Sequence, residues 1–158
     1  MKEITKHLIN SLRGKGAHIS LVEALKEFPF TMAGTKIDGL EHSVWMLVYH
    51  IWICAYDIVE FSIRADHKSP EYPSGYWPEN NAPLSEQEWN KTINDAVKEM
   101  ERMAELLEDE SNDLTAPFPW GSGQNLFREA LILIDHNSYH IAQLIDLRAL
   151  LKVPVKDW

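Results

Sequence analysis

The sequence predicts an all-α protein, a four-helix bundle formed as one domain over residues 1–158. Three observations carry this. Apolar residues recur in alternating steps of four and three through long blocks, the period of a helix with one buried face. Connections rich in Gly and Pro separate the blocks. No stretch shows the strict apolar–polar alternation of a half-buried strand.

The first block is broken. Ile4, Leu8 and Leu12 lie at helical spacing within residues 2–13, and Gly14-Lys15-Gly16 interrupts them. A short helix is expected from Ser20, where Ser20-Leu21-Val22-Glu23 reads as a capping box, with Pro29 limiting its far end. The second block is expected from about residue 39 to 66, capped by Asp38 with Glu41 three residues on. Its seam is Leu40, Val44, Leu47, Ile51, Cys54, Ile58 and Phe61, and a neighbouring row of Trp45, Val48, Trp52, Ala55 and Val59 is also apolar, so this helix should be largely buried. Ser85-Glu86-Gln87-Glu88 opens the third block, which runs to about residue 109 with a seam from Trp89 to Leu107 and an outer face of alternating charge expected to be solvated. The fourth runs from about 124 to 151, with a seam of Leu126, Ala130, Leu133, Asn137, His140, Leu144, Leu147 and Leu151. Shared 4-3 seams point to helices packed as a bundle. The connection from Lys68 to Leu84 holds Pro70, Pro73, Pro78 and Pro83. Extended, it spans about 50 Å against about 40 Å for the helix before it, so it can cross the bundle and leave helices two and three parallel.

Composition narrows the function. Hydrophobic residues make up 45 % of the chain, which is globular rather than disordered. The net charge of −9 argues against nucleic acid as a main partner, since phosphate binding needs clustered Lys and Arg. No run approaches the roughly 18 consecutive apolar residues of a membrane span, and the first residues do not read as a signal peptide. A cytoplasmic protein is therefore expected. A single cysteine, Cys54, excludes an internal disulfide and Cys-rich zinc sites, so a metal would have to rely on His and carboxylates.

The chemistry-bearing segment is Asp135-His136-Asn137-Ser138-Tyr139-His140. Histidines at i and i+4 project to one side of a helix, at the spacing with which two imidazoles grip one ion. Asn137 and His140 stand in the seam where Leu is expected, and burying them without partners would cost roughly 1–3 kcal/mol each. His50, in a row with Met46, Ile53, Asp57 and Glu60 beside the seam of helix two, can point inward. His50, His136 and His140 then give three nitrogen ligands with a position left open, the catalytic type of site, and Asn137 could support it from behind. The bland alternative is a set of core histidines hydrogen-bonded to Asn137 and water. Cys54, four residues after His50, reads as a small buried hydrophobe rather than a thiolate. The directions of His42 and Ser43 are open. His7, His18 and His67 read as surface residues. Tyr72, Tyr76 and Trp77 in the long connection, and Phe118 and Trp120 before helix four, read as aromatic anchors over the core or as the wall of a substrate pocket.

These residues carry a family likeness. His42-Ser43-Val44-Trp45 leading to His50, the Tyr72-Pro73…Trp77-Pro78 loop and His136-Asn137-Ser138-Tyr139-His140-Ile141-Ala142-Gln143 resemble the DinB-like (YfiT-like) superfamily of metal-dependent four-helix bundles over nearly the whole chain. The resemblance implies an up-down-down-up bundle with a long second connection. It also implies a divalent ion, most often zinc or nickel, on His50, His136 and His140. Members include thiol-dependent transferases and isomerases and are often homodimers, for which the Trp45/Trp52 row would be compatible. The expected function is thus a metal-dependent enzyme of the thiol-transferase or hydrolase kind acting on a small molecule, with Asp57 and Tyr139 as nearby candidates for a base. The alternatives are a non-catalytic, stress-related binding or dimerisation module in which metal is structural, and a bundle without metal.

Overall fold

The structure, a computed structural model, describes residues 2–156. It is all-helical: α1 (Lys2–Leu12), α2 (Leu21–Leu25), α3 (Val44–Ile63), α4 (Glu86–Glu108) and α5 (Leu126–Leu150), with short 3-10 turns at Phe30–Met32 and Ser74–Tyr76 and no strand among the described residues. α3 is the central element, packed against both α4 and α5, while α1 and α2 also lie against α4 and α5. Trp45 near the start of α3 meets Trp89 near the start of α4, and Glu60 near the end of α3 bonds Arg102 in the second half of α4.

Local signals explain the helix starts. Ser20 and Glu23 form the expected reciprocal capping box, and Ser85 accepts the Glu88 N–H. Asn125 does the same for Arg128 at the head of α5. The start of α3 differs from expectation. Residues 39–43 are not helical, Gly39 sits at φ +82°, and Leu40 is exposed. Two capping signals compete here, and Ser43 outdoes Asp38 because its hydroxyl both accepts the Met46 N–H and donates to the Asn81 carbonyl. That second bond ties the start of α3 to the long connection.

The core divides into two clusters. One gathers Trp45, Val48 and Ile51 of α3 with Trp89, Leu144 and α2, and the other joins α1 to Val59, Met103 and Leu133. Trp45 is 2 % exposed, packed near Tyr49 and Trp89 in the interior of the chain. α3 is long and apolar enough to cross a membrane by composition. Here that apolarity packs against α4 and α5.

The charged face of α4 is less solvated than its sequence suggests. Glu99 is buried and, like Glu60 of α3, accepts a 2.7 Å bond from Arg102, while Arg64 lies 3.1 Å from Glu60. Burial pushes the Glu99 carboxyl above its usual range despite the guanidinium beside it. Phe118 packs edge-on against Phe61, and Trp120 stacks on Phe118 while donating to the Phe61 carbonyl, so these two aromatics act as anchors at the end of α3.

Arg148, 2 % exposed, closes the far end of α5. Its guanidinium donates to the carbonyls of Ala24 (2.5 Å), Lys26 (3.0 Å) and Val153 (2.9 Å), fastening α2 and the C-terminal segment to one side chain. Replacing Arg148 with Met keeps the packing stem and orphans these carbonyls. Urea denaturation is expected to show a loss of about 2–4 kcal/mol, and an unchanged midpoint would refute this role.

Candidate metal centre

α3 and α5 bring His50, His136 and His140 to one point: their ligand atoms lie within 4.8 Å of one another. His136 Nε2 sits 3.1 Å from His50 Nε2, and the ring centroids of His136 and His140 are 4.4 Å apart. Two nitrogens bound tetrahedrally to zinc at about 2.0–2.1 Å stand about 3.3 Å apart, so the His50–His136 spacing already matches a shared ion.

The outer nitrogens decide which tautomers are present. His50 Nδ1 lies 2.9 Å from the Tyr76 carbonyl, which can only accept, so Nδ1 carries the proton and Nε2 keeps its lone pair. His140 Nδ1 faces Gln143 Oε1 at 2.7 Å with the same result. An outer acceptor orienting each imidazole is the usual support of a metal-bound histidine. His136 Nδ1 and the neighbouring Asn137 Oδ1 are both buried without a hydrogen-bond partner. The donor set is therefore neutral, nitrogen-based and converging, a group that could hold a metal ion.

Burial also keeps these rings neutral. His136 and His140 are each depressed to about 4, mainly by burial, His136 further by its two histidine neighbours and His140 further by His50. His50 is lowered too, again chiefly by burial. A metal competes only with protons for such nitrogens, so at neutral pH nothing has to be displaced.

The long connection supplies the rest of the site. Trp77 stacks on His50 (4.0 Å, 5°) and on His42 (4.0 Å, 19°), so the indole is held between two imidazoles. The neighbouring Tyr76 is fixed through its hydroxyl, which donates to Asp57 Oδ2 at 2.7 Å, and His67 bonds Asp57 Oδ1 at 2.7 Å. Burial, then the Asp57 bond, raises the Tyr76 phenol. Asp57 thus anchors the loop rather than standing free as a base. Cys54 Sγ lies 3.6 and 3.7 Å from the two His50 nitrogens, and burial pushes its thiol up to about 12. It behaves as the small neutral group expected. Tyr139 is 64 % exposed, its ring edge-on to His140.

The structure brings all three expected ligands together and adds contacts to them that the sequence did not specify: Gln143 on His140, and the Tyr76 carbonyl and Trp77 ring on His50. Gln143 had a legible signal, three residues after His140 on the same helix face. His67 is not a surface residue, and His18 is half-buried rather than free. His18 bonds Ser138 Oγ and the Ile19 carbonyl, and the His67 side chain is 5 % exposed. No family model, no curated protein and no solved structure matches this chain.

The depressed histidines set the acid limit of the metal-free protein. Their folded pKa lies below the ordinary value near 6.5, so the unfolded chain binds more protons between pH 6.5 and 4. Stability is therefore full above about pH 6.5 and falls as pH drops toward 4, by up to about 3 kcal/mol for each of the two. Chelator-treated protein unfolded in urea at pH 7 and pH 4.5 is expected to show this loss, and His140→Gln is expected to reduce it.

Proposed function

We propose that this chain is a divalent-metal protein of the DinB-like kind, with zinc or nickel held by His50, His136 and His140. The observation that carries the reading is the convergence of three neutral imidazoles whose outer nitrogens already face acceptors at His50 and His140. The bundle it rests on is four-helical and up-down-down-up. Start-to-start contact of α3 with α4 through Trp45 and Trp89, and end-to-end contact through Glu60 and Arg102, support the parallel pair that the long crossover allows.

The chemistry proposed is that of a thiol transferase or hydrolase on a small molecule, in a cytoplasmic homodimer. When bound, the ion lowers the pKa of a water or thiol in its remaining position into the neutral range. The chain's own residues hold and orient. His50 and His140 present Nε2 because their Nδ1 protons are engaged, and Trp77 covers one face of His50 and limits access from that side. A second reading, in which the ion only stabilises the fold, is favoured by one observation: both Asp57 oxygens already accept bonds, from Tyr76 and His67, so this carboxylate is engaged in holding the loop rather than free beside the site.

Elemental analysis of the purified protein is expected to give one divalent ion per chain, lost in His136→Ala. A wild-type protein that takes up neither added zinc nor nickel would overturn the metal reading. With metal present, turnover of small thiols or esters separates the enzyme from the structural module. Tyr76→Phe removes the bond that sets the loop behind His50, so chelator competition should show affinity weakened about 10-fold or more. Unaltered affinity in that variant would mean that the Tyr76 carbonyl stays in place without Asp57.

A further inference from the structure

A cavity of about 160 Å³ lies on the other side of α5 from the histidines. It is walled by α1 and the chain from Gly14 to Val22 on one side, by α4 through Val97 and Met100, and by α5 through Ile134, Asn137 and Ile141. At 100° per residue those three α5 positions face about 125° away from the side carrying His136, His140 and Gln143. The cavity opens where the two core clusters meet, with Leu21, Met100 and Ile141 belonging to one and Leu12 to the other.

Its size and chemistry select an occupant. A dry apolar cavity of about 150 Å³ accepts a single aromatic ring, and a water needs two to four polar partners to be held. Several waters would fit this volume, but most of its polar neighbours are already engaged. His18 spends both ring nitrogens on the Ile19 carbonyl and Ser138 Oγ. Ser20 is tied to Glu23. Arg13 and Glu101 hold each other at 2.8 Å, which also leaves no net charge on that wall. Ser11 and Asn137 remain, and of these Asn137 is the buried one: it is 5 % exposed and its Oδ1 has no hydrogen-bond partner. That oxygen is sealed and adjoins His136 in the chain, so the amide N–H₂ is the group a guest meets.

The geometry points to a binding site, distinct from the histidine cluster, for a small uncharged molecule of single-ring size that carries one oxygen acceptor directed at Asn137. The apolar walls take the ring, and the Asn137 amide selects oxygen-bearing guests over plain hydrocarbons. The site does not depend on metal. Val22, half exposed on the rim, marks a way in.

Phenol, benzene and benzoate are the probes, titrated into the full-length protein, with and without chelator, under methyl and amide NMR. Phenol is expected to shift Met100, Ile134 and Ile141 saturably and to bind at least 5-fold more tightly than benzene, with benzoate excluded. Asn137→Leu is expected to erase the preference for phenol. Val22→Trp, at an exposed position that leaves the core alone, is expected to weaken phenol by 5-fold or more. Absence of saturable shifts, or phenol binding unaltered in Val22→Trp, would overturn the site. Equal affinity for phenol and benzene in the wild type would overturn the role of Asn137.

Discussion

The histidine cluster depends on one hydrogen bond, from His50 Nδ1–H to the Tyr76 carbonyl. It fixes the tautomer of His50 and so aims Nε2 at His136. It also crosses between elements far apart in sequence, because the carbonyl belongs to the long connection and the imidazole to α3. The connection has no regular structure beyond one 3-10 turn, so its position must come from side chains. Asp57 provides it, accepting from Tyr76 and His67, which fasten the chain after α3 back onto that helix. Trp77 then lies flat on His50 as a consequence of where Tyr76 has been put.

Burial gives this arrangement its chemical character. Three imidazoles in close contact could not all be charged, since like charges at this spacing repel in a poorly solvated interior. Burial lowers all three below the ordinary imidazole value, which favours the neutral form. The same low-dielectric setting raises the Cys54 thiol and the Tyr76 phenol, so neither offers an anionic donor at neutral pH and the three imidazoles are left as the donors that converge.

The legible and illegible parts divide along a physical line. Interactions within one helix could be read: the Ser20 and Ser85 caps, the seam of α5, and the shared side of His136 and His140 all depend on spacing alone. His50 was legible because an apolar helix with one imidazole beside its seam has few uses for it. What escaped is set by pairing across the fold. The start of α3 moved to Ser43 because a carbonyl at Asn81 rewards its hydroxyl, and no local pattern announces that partner. His67 looked like a surface residue for the same reason, since the Asp57 that buries it lies ten residues away on another element. The charged stripe of α4 hid Glu99 and Arg102, whose burial depends on Glu60 facing them from α3.

α5 carries polar groups on two of its faces, and this explains why its seam breaks at Asn137. A leucine there would fill space on the cavity side. An asparagine lines that wall with a polar group while its oxygen stays sealed from solvent. That oxygen, like His136 Nδ1, has no hydrogen-bond partner, so each is a buried polar demand left unmet by the chain. The tautomers are set at the other two rings, where the Tyr76 carbonyl and Gln143 Oε1 hold the Nδ1 protons and leave both Nε2 lone pairs free to meet at one point with His136.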